Sequence, residues 1–264
     1  MKSFTSFNLM IMILMLVSCG KDLVPPVPTI APESSLSMNY SDFNNLKSAN
    51  LLLENWGYSF TNVSFFSTMS TSYISIPALA YGYVITQTPT YIGDMTWQWS
   101  YNFSAAGVEY SATLNGTTDK KGSNTSWEMY ISSSTAMNEV NDFLWFEGTT
   151  KDSLSANWTI YTNPSSPEKV IASEWERNQS TNESSLKYIY YNDDDKNNNS
   201  TITYTQLSNT EFDRTYDIYL SSIDAEINIE WSSEFHNGRV QSQNHYKDKE
   251  WHCWNELFID ASCD

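Results

Sequence analysis

Three histidines, His236, His245 and His252, fall within the last 30 residues of this 264-residue chain, and imidazoles gathered in this way invite a metal test. If Asp248-Lys249 forms the centre of a two-residue hairpin turn, Lys247 faces Glu250, Tyr246 faces Trp251, and His245 faces His252. Two imidazoles need a third ligand, and Glu234 or His236 would have to be brought in by folding. The plainer reading is two partly exposed histidines on a sheet face. His245 and His252 stand as candidates and no metal is assigned.

Oxygen ligands at alternate positions occur in Asp193-Asp194-Asp195-Lys196-Asn197-Asn198-Asn199, as in a calcium loop. The expected glycine is Asn198, however, and Tyr204 stands where a bidentate glutamate belongs, so a solvated hairpin tip is the better reading. Glu174 and Glu176 flank Trp175, and strand alternation puts both carboxylates on one face about 7 Å apart. Such a pair could serve glycoside chemistry, although in a chain with 31 acidic residues an outer-face coincidence is the simpler account. There is no Gly-x-Ser-x-Gly, no glycine-rich phosphate loop and no His placed with a Ser and an acid in a triad pattern. No catalytic residue and no cofactor are assigned.

Of the three cysteines, Cys19 directly follows a short apolar run, Leu9 to Val17, that is preceded by Lys2. That run has the length of a secretion signal rather than a membrane span. Leu16-Val17-Ser18-Cys19-Gly20 resembles the lipobox of bacterial lipoproteins, in which a peptidase frees the cysteine and its thiol carries a diacylglycerol. Residues 1–18 are thus expected to be removed, with Cys19 lipidated. Cys253 and Cys263 remain as an even pair in an oxidising compartment, where a disulfide is expected. Lys21-Asp22 is similar to the surface-export signal of Bacteroidota lipoproteins, with Leu23 in place of a second acid. The expected address is the outer membrane, with its outer surface favoured. Residues 19–37, containing Val24-Pro25-Pro26-Val27-Pro28, read as an extended tether that holds the body off the membrane.

These side chains must be positioned by the remaining residues, 38–264, expected as one domain. Apolar residues near helical spacing between Ser41 and Trp56 predict one short helix over about 41–56, stopped by Gly57. From about Tyr58 to Phe258 period-two alternation takes over, most cleanly in Ile223, Ala225, Ile227, Ile229 and Trp231. It recurs in Trp97, Trp99, Tyr101 and Phe103, and in Leu154, Ala156, Trp158 and Ile160. Turn signals such as Asn115-Gly116, Asp119 to Asn124, Asn192 to Ser200 and Asn237-Gly238 leave no room for crossover helices. The predicted fold class is all-β, an antiparallel up-and-down meander of about 11 to 14 strands closing into a β-barrel or a strongly curved half-barrel.

Trp127-Glu128-Met129-Tyr130-Ile131, Phe143-Leu144-Trp145-Phe146-Glu147-Gly148, Asn157-Trp158-Thr159-Ile160-Tyr161, Ile229-Glu230-Trp231 and Trp251-His252-Cys253-Trp254 together resemble a family of uncharacterised outer-membrane lipoproteins of Bacteroidota. The resemblance implies an address and a fold, and no activity. In that setting Asp152-Ser153-Leu154 is similar to the three-residue O-glycosylation signal of the same bacteria, which marks Ser153.

A net charge of −17 repels phosphate backbones and argues against nucleic acid as a partner. Ten Trp and 17 Tyr could form a sugar platform or line an apolar cavity, but alternating aromatics are also the ordinary filling of a β core. The expectation is a non-catalytic β domain, held to the membrane at Cys19, that binds a glycan, an apolar ligand or an envelope protein. The alternative is a carboxylate-dependent hydrolase acting on an envelope or extracellular glycan, which needs two carboxylates converging in one cleft.

Overall fold

The structure is a computed structural model that describes residues 24–40, 43, 54–134, 139–162 and 164–263. It contains a 31-residue helix α1, Glu54–Val84, followed by fourteen strands. The first seven are β1 (Thr90–Gly93), β2 (Thr96–Ala105), β3 (Val108–Thr118), β4 (Asn124–Ser133), β5 (Val140–Lys151), β6 (Ser155–Thr162) and β7 (Glu168–Arg177). The sheet continues with β8 (Ser184–Tyr190), β9 (Thr201–Gln206), β10 (Arg214–Leu220), β11 (Ala225–Trp231) and β12 (Gly238–Gln241). A helical turn α2 (Gln243–Tyr246) precedes β13 (His252–Trp254) and β14 (Asp260–Ala261).

Each strand pairs antiparallel with the next, in one sheet ordered β1 through β14. The meander is therefore as expected, but it is not closed: β1 and β14 are two open edges. Both edge strands are short, which limits the unpaired backbone left on display.

The sheet needs a cover because one of its faces is largely apolar. In β4, buried Thr125, Trp127, Met129, Ile131 and Ser133 alternate with more exposed neighbours, and β11 does the same with Ala225, Ile227, Ile229 and Trp231. Fourteen strands span about 62 Å at ordinary spacing, whereas a 31-residue helix is about 46 Å long and a single helix wide. The rest of the cover is the N-terminal segment. Ala31, Leu36, Met38, Tyr40 and Phe43 are buried, and residues 31–40 are held by polar tips of the core aromatics. Trp158 Nε1 donates to Ser35 Oγ (3.3 Å), the Tyr188 hydroxyl accepts from the Met38 N–H (2.7 Å) and donates to the Leu36 carbonyl (2.8 Å), and Tyr216 donates to the Asn39 carbonyl (3.2 Å). From the helix side, Tyr81 donates to the Ala31 carbonyl (3.0 Å).

This is a correction to the tether. Residues 31–37 are a strap laid across the core face: a 3-10 turn at Glu33–Ser35 satisfies its own N–H groups, and the core aromatics supply partners for the carbonyls and the hydroxyl left over. Most of the helix predicted over 41–56 lies outside the described residues. Gly57, expected as a stop, lies inside α1, and residues 58–84, expected as strand, are helix.

Alternate bulk and absence of bulk run across the first half of the core face. In register, Trp97, Gly116, Trp127, Gly148 and Trp158 are successive cross-strand partners, followed by Ser173 and Tyr188. The Trp127 indole lies over Gly116 and the Trp158 indole over Gly148, so a Cβ on Gly116 would sit 2.7 Å from Trp127 Cζ3. Asn115-Gly116, expected as a turn, is thus mid-strand, its glycine making room for a ring rather than for a reversal.

Candidate functional site

The core face is filled, so the accessible chemistry lies on the other face of the sheet and at its ends. Among the ten tryptophans, Trp56, Trp99, Trp127, Trp158, Trp175, Trp231 and Trp254 are each no more than 2% exposed, which assigns most of the indoles to the core rather than to a platform.

On the outer face of β4 to β6 the structure builds a groove of about 580 Å³ that the sequence did not point to. Glu128 of β4 and Glu147 of β5 are direct cross-strand partners there. On their flanks the row continues with Asn115, whose Oδ1 accepts from Gln98 Nε2 (3.0 Å), and with Thr159. The Tyr161 hydroxyl donates to Glu147 Oε1 at 2.6 Å; burial, and then this bond and the carboxylate's charge, push its pKa up to about 12. Burial, and then the charges of Glu128 and Asp142, likewise raise Tyr130. Among the described residues no Lys, Arg or His forms an ion pair with either carboxylate. Like charges opposed across strands destabilise a sheet by several tenths of a kcal/mol. The arrangement is two carboxylates, each with a tyrosine hydroxyl nearby, lining an open groove with Asn157 and Thr159 on its floor. Such groups accept hydrogen bonds from hydroxyls and ammonium groups and orient a polyol.

The residues singled out from the sequence are placed differently from the expectation. His245 and His252 do not face each other, because residues 243–246 form a helical turn closed by Tyr246 N–H to the Ser242 carbonyl (3.0 Å) instead of a strand leading to a tight hairpin. His252 pairs with Val240, stacks on Tyr246 (3.6 Å between centroids) and bonds Asp248 Oδ1 (3.0 Å), while His245 stacks on Tyr58 (3.9 Å). His236 lies against Phe258 and Glu234 is exposed. Among the described residues no group of three His, Cys, Asp or Glu could hold a metal.

The loop from Asn192 to Asn199 turns its oxygens onto itself. Asp195 Oδ1 accepts from the Asn197 N–H (2.9 Å) and Asp193 Oδ1 accepts from Asn198 Nδ2 (3.0 Å), which makes it a self-bonded hairpin tip. Glu174 and Glu176 are exposed on β7, and Glu174 pairs with Lys187 (3.7 Å). Ser153 sits half-buried in the β5–β6 turn with φ +56°, lining a cleft with Val27 and Arg177 of the strap side. Cys253 and Cys263 are joined as a disulfide, Cα atoms 5.4 Å apart. Cys19, with Lys21, Asp22 and Leu23, lies outside the described residues, and among the described residues no helix is long and apolar enough to cross a membrane.

No family model, no curated protein and no solved structure matches this chain.

Proposed function

We propose that the chain is an outer-membrane lipoprotein of the Bacteroidota type, anchored through Cys19, whose strongly curved, half-barrel-like sheet binds a glycan non-catalytically on its outer face. The observation that carries this reading is the opposed Glu128–Glu147 pair lining an open groove, with the Tyr161 hydroxyl bonded to Glu147 and, among the described residues, no cation paired with either carboxylate. Vicinal hydroxyls of a sugar are donors that two carboxylates and an amide row can take in parallel, and half-buried tyrosine rings offer flat apolar edges beside them. The filled core face speaks against an apolar-ligand carrier, which needs a hollow one.

The test uses the mature chain with Cys19→Ala, titrated with purified envelope polysaccharides by calorimetry. Glu147→Gln and Tyr161→Phe are expected to weaken binding tenfold or more without moving the thermal midpoint by more than a few degrees. Equal affinity for the parent and both variants would sink the glycan reading. The same carboxylate pair supports the hydrolase alternative, and release of reducing ends, abolished in Glu128→Gln or Glu147→Gln while binding persists, would establish it. Anchoring is tested separately by palmitate incorporation, which should vanish in a Cys19→Ala precursor.

A further inference from the structure

A long Pro-rich tether would let the domain float above the membrane, but the strap leaves almost no tether. Pro26 packs against the β3–β4 turn, its Cγ 2.9 Å from where a Cβ on Gly122 would stand, and Ala31, Ser35, Leu36, Met38 and Tyr40 are buried in the core. Val24 is five residues after Cys19, so its Cα lies within about 18 Å of the lipidated residue even with the backbone fully extended. The end of the sheet where the strap enters must therefore sit close to the bilayer.

That end presents apolar groups to solvent. Val24 (56% exposed), Val27 and Ile85 (64% exposed) are apolar and open to solvent, and Val27 and Ile85 line one cleft at the strap's entry together with Pro28 and Pro89. Ile92, also exposed, lies three residues beyond Pro89 on the edge strand β1. Around them are three adjacent hairpin ends tied to one another by Asp152 N–H to the Ser123 carbonyl (2.8 Å) and Arg177 N–H to the Leu154 carbonyl (2.8 Å). These carry Lys120, Lys121, Lys151 and Arg177, four of the chain's 14 basic residues, all exposed. With Asp94, Asp119, Asp152, Glu176 and Glu183 on the same set of turns, these hairpin ends carry about one net negative charge, in a chain of net charge −17. The opposite end carries Lys169 and Lys196 but a larger number of acids, Glu139, Asp142, Glu168 and Asp193-Asp194-Asp195, which an anionic surface repels.

We infer that this end is a bilayer-docking surface. Val24, Val27 and Ile85 seat among the phospholipid headgroups, Lys120, Lys121, Lys151 and Arg177 meet anionic phosphates, and the domain stands upright on the membrane with its acidic end outward. This rests on the anchor at Cys19 proposed above.

The experiment is hydrogen–deuterium exchange on the lipidated mature protein, in phosphatidylethanolamine–phosphatidylglycerol vesicles and in detergent micelles. Residues 85–92, 119–123 and 151–154 are expected to exchange several-fold more slowly in vesicles, with residues 192–199 at the far end unchanged. Val27→Asp combined with Ile85→Asp should abolish that protection while the protein still pellets with the vesicles. Equal exchange in vesicles and micelles for a pelleting protein would overturn the docking surface. A protein that fails to pellet would overturn the anchor and the docking surface with it.

Discussion

Gly148 has no room for a side chain. A Cβ there would collide with the Asn157 carbonyl oxygen and the Trp158 indole, and both belong to the neighbouring strand rather than to a flexible tip. Gly148→Ala is therefore expected to cost about 1–3 kcal/mol, read as a lower urea midpoint, with the m-value unchanged. A stability equal to the parent's would mean that the Trp–Gly row yields freely. Asp213 makes a second residue-scale prediction. Burial alone would raise its pKa, but Ser233 donates to it through both its N–H (2.8 Å) and hydroxyl (2.7 Å), Arg214 lies 2.7 Å away, and the net shift is downward. A carboxyl with a folded pKa below its unfolded value contributes stability above the ordinary value of about 3.9, which is lost as pH falls through the lower folded value. Stability should thus fall with acid below about pH 3.9, and the Asp213→Asn profile should be flatter over that window. Neither carboxylate of the groove was legible as a site from sequence. Glu128 and Glu147 stand 19 positions apart, and only the β4–β5 register, set by two irregularities in the pairing, places them opposite one another.

At the scale of elements, the strands were legible and the helix was not, for one physical reason. Between Asn55 and Val84 there is no charged residue, and serine, threonine and β-branched or aromatic residues dominate, a composition that by propensity belongs to strands. Six of its nine Ser and Thr hydroxyls are satisfied within the helix itself: Ser59, Thr61, Ser70, Thr71, Ser72 and Ser75 each donate to the carbonyl four residues earlier. Packing against both sheet and strap then decides the conformation, and a pattern apolar on more than one side has no helical period to read. The strap was misread in the opposite sense, because Pro and Ser suggest a solvated linker and only the facing Tyr188, Tyr216 and Trp158 reveal its partners. The consequence is measurable. Leu36 is fully buried, so Leu36→Ala should cost about 2–4 kcal/mol, where a true tether would lose nothing. Chemical denaturation of the two proteins decides between these, and coincident curves would return residues 31–37 to a linker.

At the scale of the whole molecule, an open fourteen-stranded sheet has two edges to protect, and the C-terminal one is the weaker. β14 is two residues long and pairs with a three-residue β13, so few ladder bonds hold it. What fixes it is covalent and tertiary. The Cys253–Cys263 bond closes the loop that contains β14, and Asn55 of α1 ties both strands by donating from its backbone to Asp260 Oδ1 (3.1 Å) and from its side chain to the Cys253 carbonyl (2.8 Å). Trp56 packs on Trp254 and Phe258 beside these bonds, so the edge and the described start of the helix are one structural unit. Opening the disulfide should therefore do more than free a tail. It restores chain entropy to the unfolded state, worth about 2–3 kcal/mol for a loop of this size, and it lets β14 detach, which exposes β13 as an unpaired edge next to an apolar cluster. Reduction with dithiothreitol, or Cys263→Ser, is expected to lower the thermal midpoint by several degrees and to raise light scattering at a given protein concentration. Double substitution of Cys263→Ser with Asn55→Ala should be worse than the sum of the singles, because each tie compensates for loss of the other. Strict additivity, with no rise in scattering, would show that the C-terminal edge is held by β12 and β13 alone.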